Sequence, residues 1–204
     1  MYISNVLIEN YKNFKELSVS TQKVTAVIGN NNAGKTNFLE AITLPLFVDE
    51  ITSRSKKLVW SDINQETKDN YYDFILEKKE EIASDSVDLK CFNAIVPQVK
   101  VKLEFEYGLG EFYAIKELLS EIDPENDIED ELPKAALEYR FFCKNTKELL
   151  KHVKEVLESV SLDINNLDVT DLNKLKQNLL PIEFFEYSIL IRRIYNLSAT
   201  TIIK

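Results

Sequence analysis

Val99, Val101, Leu103, Phe105 and Tyr107 alternate with Lys100, Lys102, Glu104 and Glu106. A two-residue period of that length predicts a half-buried strand, because successive side chains on extended backbone point to opposite faces. Tyr2–Glu9 is rich in β-branched and aromatic residues, Asn10–Asn13 interrupts it, and Phe14–Ser20 resumes with Phe14, Leu17 and Val19 apolar. Two strands joined by a short polar turn are expected there. Val24–Ile28 is almost continuously apolar, which predicts a strand buried on both faces. After the glycine-bounded stretch Gly29–Gly34, Phe38, Leu39, Ala41, Ile42 and Leu44 recur at helical spacing up to Pro45. The expected order is strand, glycine loop, helix.

Further along, Tyr72, Ile75 and Leu76 against Glu77–Glu81 predict a solvated helix over 69–82, and Leu137–Cys143 reads as another strand. Phe112, Ile115, Leu118, Leu119 and Ile122 predict a short helix before Pro124. Asn145, three residues before Glu148, is a capped helix start, with Leu149, Leu150, Val153, Val156, Leu157 and Val160 as its apolar stripe. A second helix is expected near 170–180, ending at Pro181, and Ala199–Lys204 reads as a strand. The chain therefore divides into a hairpin, loop strand and helix (1–48), a helical insertion (49–98), a β portion (99–144), a helical arm (145–198) and the start of a further strand (199–204), all within one partial domain.

Composition narrows the classes. With 45% hydrophobic and 29% charged residues over 204 positions, the chain is composed to bury a core. A net charge of −9 argues against a charge-driven nucleic-acid coat, which needs clustered Lys and Arg. One histidine, His152, excludes a Cys/His zinc cluster, and Cys91 and Cys143 are too few for a disulfide scaffold and read as packing residues. No apolar run is long enough for a membrane span and no leader pattern opens the chain, so a cytoplasmic protein is expected. The acidic run Glu117–Glu131 reads as a solvated loop, as do the small basic clusters Arg54, Lys56, Lys57 and Arg192, Arg193.

One stretch carries chemistry. Gly29, Asn30, Asn31, Asn32, Ala33, Gly34, Lys35 and Thr36 satisfy G-x-x-x-x-G-K-[ST], the phosphate-binding P-loop of nucleotide-binding proteins. The glycines let the backbone curl so that successive N–H groups point inward, and the following helix adds unpaired N–H groups and the positive end of its dipole. Lys35 is expected on the outer phosphates and the Thr36 hydroxyl on magnesium. No apolar strand ending in Asp or Glu follows Thr36, since Ile189–Ile191 leads into Arg192 and Arg193, and no Leu-Ser-x-Gly occurs because the last glycine is Gly110. Guanine-reading Asn-Lys-x-Asp and the Asp-x-x-Gly switch of small GTPases are absent as well.

Ile8–Phe14 followed by Val27–Ile42 resembles the N-terminus of ABC-type ATPases of the SMC/RecF group, most closely the OLD-family (overcoming lysogenization defect) ATPase-nucleases, which include the Gabija anti-phage systems. The resemblance covers about residues 2–44. It implies an α/β fold of the P-loop NTPase class, an ABC/SMC-head-like N-terminal lobe with an antiparallel β portion and a helical arm. It also implies ATP and Mg2+ as cofactors, with Gly29–Thr36 and Asn37 at the phosphates and Lys12 and Asn13 of the hairpin turn approaching adenine or phosphate. Lysine stands at position 12, where the family usually has arginine. Family members dimerise through the ATPase head, so a homodimer or larger oligomer, a nuclease or effector partner and nucleic acid in the full assembly are the implied partners. Hydrolysis is expected to need parts absent from this chain, and a non-hydrolysing regulatory module is the alternative.

Overall fold

The computed structural model describes residues 1–46, 57–108, 111, 134–159 and 169–194. Five antiparallel strands make one sheet in the order β2-β1-β3-β4-β5, with β1 Tyr2–Tyr11, β2 Phe14–Ser20, β3 Val99–Glu106, β4 Lys134–Cys143 and β5 Phe185–Ile194. Register follows the pleat. The cross-strand row Leu17, Ile8, Val101, Tyr139, Ile189 runs across all five strands, fully buried at Ile8, Val101 and Tyr139 and exposed at Ile189 on the edge strand. The neighbouring row, Glu16, Glu9, Lys100, Arg140, Ser188, faces the other way, and Lys100 Nζ pairs with Glu9 Oε1 at 2.6 Å. A one-residue slip would exchange these rows, so the apolar pattern fixes the register.

Helix α1, Lys35–Leu46, packs Phe38, Ala41 and Pro45 against β1, β3 and β4, and runs one residue past Pro45. Helices α2 (Gln65–Glu77), α3 (Lys79–Ala83), α4 (Leu89–Ile95), α5 (Thr146–Ser159) and α6 (Val169–Leu179) pack on one another around Tyr71, Ile75, Ile82, Phe92, Leu149, Val153 and Leu179. Tyr71 donates from its hydroxyl to the Leu179 carbonyl at 2.9 Å, which satisfies its one polar atom inside this group. The expected cap of α5 is present, with Asn145 Oδ1 accepting from the N–H groups of Lys147 (3.2 Å) and Glu148 (3.3 Å).

Several expectations are corrected. Val24–Ile28 forms no strand: Val24 is 89% and Ile28 90% exposed, and no described strand pairs with them. An apolar run becomes a buried strand only where a pairing edge and covering layers take it up, and neither edge of the described sheet, β2 or β5, pairs with it. The helical arm over 145–198 is also interrupted, because residues 185–194 are β5, paired with β4 from Cys143↔Phe185 to Lys134↔Ile194. Phe185, Tyr187 and Ile189 alternate along it, and Phe141–Phe185 and Tyr139–Tyr187 stack with ring centroids 5.3 and 5.7 Å apart. The helix expected over 69–82 starts earlier and breaks at Lys78 into α2 and α3; Tyr72 and Ile75 of its apolar face are buried, as is Tyr71, whereas Leu76 is exposed. Cys91 is exposed, not packed, and Asp88 beside its thiol raises its pKa; Cys143 is half-buried. The helix expected after Phe112, the acidic run to Glu131 and the strand Ala199–Lys204 lie outside the described residues.

Candidate functional site

Gly29–Gly34 leads directly into α1, and two of its residues have left-handed backbone, Asn32 at φ +67° and Gly34 at φ +88°. A turn closes the loop, with Ala33 N–H donating to the Asn30 carbonyl at 3.2 Å. The first helical bond runs from Phe38 N–H to the Gly34 carbonyl at 2.9 Å. That leaves the N–H groups of Lys35, Thr36 and Asn37 as the unpaired first turn of a helix. Among the described residues no acceptor takes those N–H groups, nor those of Asn31, Asn32 and Gly34. No acidic side chain occupies the first turn of α1 to cancel its positive end. The donor set is that of an anion site, and it suits a chain of phosphates.

Lys35 brings a full charge to the same place. Its Nζ donates to the carbonyls of Gly29 at 2.5 Å and Asn30 at 2.7 Å, so the ammonium sits at the mouth of the loop. Thr36, exposed, follows it on α1. Beside Gly34 and Lys35 lies a largely apolar cleft of about 310 Å³, walled by Phe14, Leu17 and Val19 of β2, by Val27 and Ile28, and by Phe38.

The β1–β2 turn closes the other side of the loop–helix junction. Asn13 accepts at Oδ1 from Asn37 Nδ2 at 2.7 Å, and its amide lies so close to Gly34 that a Cβ built on that glycine would overlap it. Lys12 donates from Nζ to Glu40 Oε2 on α1 at 2.5 Å and stands 3.7 Å from Asp62 Oδ1. Burial works to lower the Lys12 pKa, but the hydrogen bond to Glu40 and the field of Tyr11 and Glu40 outweigh it, and the net shift is upward. The Tyr11 hydroxyl is pushed up, chiefly by burial.

The structure thus places Gly29–Asn37, Lys12 and Asn13 around one junction, although the turn and the loop are far apart in sequence. Within it Lys12 and Asn13 bear on α1 and Gly34. Glu40, Asp62 and Asn64 belong to the same cluster and were not singled out from the sequence. A signal existed for Asn64 alone: it caps α2, taking the Thr67 N–H at 3.3 Å, and Asn three residues ahead of Thr opens a helical pattern. His152 is a boundary residue, its Nε2 bonded at 2.9 Å to the Asn178 carbonyl, away from the loop. No group of three or more His, Cys, Asp or Glu able to hold a metal occurs among the described residues, and no described helix is long and apolar enough to cross a membrane.

The DNA replication and repair protein RecF of Clostridium beijerinckii is 31% identical over 117 residues, which is 56% of this chain and 30% of that protein. RecF of Rickettsia bellii is 39% identical over 71 residues, 34% of this chain and 19% of the relative, and RecF of Bacillus cytotoxicus is 38% identical over 65 residues, 30% and 17% respectively. The alignments thus span less than a third of these relatives' lengths. The AAA ATPase domain family model matches residues 1–201, nearly the whole chain, and the chain belongs to that family of nucleotide-binding ATPases.

Proposed function

We propose that the chain is the ATP-binding lobe of an OLD-like ATPase of the SMC/RecF type, working within a DNA-processing or anti-phage assembly with nuclease activity. The observation that carries the ATP reading is the loop Gly29–Thr36. Unpaired N–H groups at the N-terminus of α1 lie beside the Lys35 ammonium at one exposed loop–helix junction. ATP would bring the polyphosphate, and its Mg2+ would supply charge neutralisation. Asn31, Asn32, Gly34, Lys35 and Thr36 would offer backbone donors to it, the Lys35 ammonium would bind phosphate oxygens in place of its carbonyl contacts, and the Thr36 hydroxyl would help hold the metal. The RecF relatives, whose names refer to DNA replication and repair, support a DNA-related role. The OLD-like assignment rests on Ile8–Phe14 and Val27–Ile42. A head-to-head dimer, an effector partner and a cytoplasmic location belong to the same proposal.

The test is equilibrium binding of a fluorescent ATP analogue, with and without Mg2+, to the wild type and Lys35→Ala. Losing one charge-assisted phosphate contact should weaken binding by about tenfold or more. Equal binding by the two proteins refutes the reading.

A further inference from the structure

The β1–β2 turn has a backbone that it does not hold by itself. Asn10 at φ +58° and Lys12 at φ +48° are both left-handed without being glycine. Such residues persist where their surroundings over-determine them. Here the surroundings are one stretch of chain, residues 57–98. Lys12 N–H donates to the Asp62 carbonyl at 2.7 Å, and Asn64 N–H to the Asn10 carbonyl at 2.9 Å. Asn64 Nδ2 donates to the Lys12 carbonyl at 2.8 Å, and Thr67 Oγ1 to Asn10 Oδ1 at 2.7 Å. Asn10 Nδ2 reaches the Gln98 carbonyl at 2.9 Å, and Ile63 bridges Tyr11. Both ends of the segment therefore grip the turn. The turn in turn bears on the phosphate loop through two side chains, Asn13 against Gly34 and Asn37, and Lys12 against Glu40.

We propose that residues 57–98 set the phosphate affinity of the Gly29–Thr36 loop through this turn, with Asp62 and Lys12 as the positioning residues that carry the coupling. The proposal rests on the ATP-binding reading above. No charge of the segment needs to touch the nucleotide. Asp62 orients Lys12, Lys12 anchors Glu40 and hence the register of α1 against the hairpin, and Asn13 keeps the loop–helix junction in the shape that leaves its N–H groups convergent.

The sign of one substitution separates this from simple electrostatics. Asp62→Asn keeps an oxygen for the Val59 N–H, which Asp62 Oδ2 accepts at 3.0 Å, but gives up the carboxylate 3.7 Å from Lys12. Removing a negative charge near a polyphosphate site would by long-range electrostatics tighten ATP binding. Loss of positioning should instead weaken it, by about three- to tenfold. In a Lys12→Met background the same change should have no further effect, and the cycle isolates the coupling. Thr67→Val, which severs the bond to Asn10 without touching any charge, should weaken binding in the same direction and covers the case in which Asp62→Asn fails to fold. Asp62→Asn and Thr67→Val proteins that fold and bind as tightly as wild type, while Lys35→Ala does not, overturn the coupling and leave the ATP reading intact. A wild-type chain showing no Lys35-dependent binding removes both.

Discussion

At Gly34 two demands meet on one Cα. Its φ of +88° strains any L side chain, and the Asn13 amide fills the space where a Cβ would go. Left-handed strain at a non-glycine residue costs about 1–3 kcal/mol, and the overlap adds to it. Gly34→Ala should therefore lower the melting temperature and abolish binding of the ATP analogue. Adding Asn13→Ala should restore part of the stability, because the overlap disappears while the backbone strain remains. Gly29 carries only one of these demands, a Cβ that would meet Ala33 Cβ at 3.3 Å without a left-handed φ. Gly29→Ala should melt within a few degrees of wild type, by about the cost of a small repacking. The P-loop spacing announces the backbone need at Gly34. It says nothing of Asn13, because a contact between a hairpin turn and a loop 21 residues later obeys no local periodicity.

Among the elements, those written in local chemistry were legible. β2 keeps its expected limits, β3 follows its two-residue alternation, and α5 opens at the Asn145 cap. β5 was missed although Phe185, Tyr187 and Ile189 carry the same alternation, because Leu190 and the apolar pair Leu179–Leu180 before it blur the period into a helical one. Val24–Ile28 misled for a different reason. Hydrophobicity states that a segment profits from cover but does not supply the cover. The consequence is measurable: Ile28→Thr should change the unfolding free energy from urea titration by no more than about 0.5 kcal/mol, the size of an exposed substitution. Leu103→Ala, on the core face of β3 with 0% exposure, should cost about 2–5 kcal/mol in the same assay. A large loss at Ile28 would place that run in the core after all.

For the molecule as a whole, the helical group and the sheet share one core, and buried hydroxyls give it a pH signature. Burial pushes Tyr71 well above the ordinary tyrosine value and raises Tyr72 strongly, and Lys12 is raised as well. Groups whose folded pKa exceeds the unfolded one stabilise fully below the unfolded value, about 10 for tyrosine, and lose that contribution as pH climbs through the folded value. Lys68 runs the other way, its pKa lowered by burial, so its penalty eases as pH rises towards the unfolded lysine value of about 10.4 and is gone above it. With three buried tyrosines, Tyr11, Tyr71 and Tyr72, and Lys12 all raised, the urea midpoint should fall as pH rises above about 10, and Tyr72→Phe should flatten the slope. The exposed run Val24–Ile28 also has a consequence for the chain in bulk. It is five uncharged residues, rich in β-branched side chains, with a backbone that no described strand has claimed. Such a stretch can template pairing between chains, and Lys23 beside it is the kind of flanking charge that restrains this. Light scattering should grow with protein concentration and fall in Val27→Lys, a change expected to slow precipitation while leaving the melting temperature of the monomer where it was.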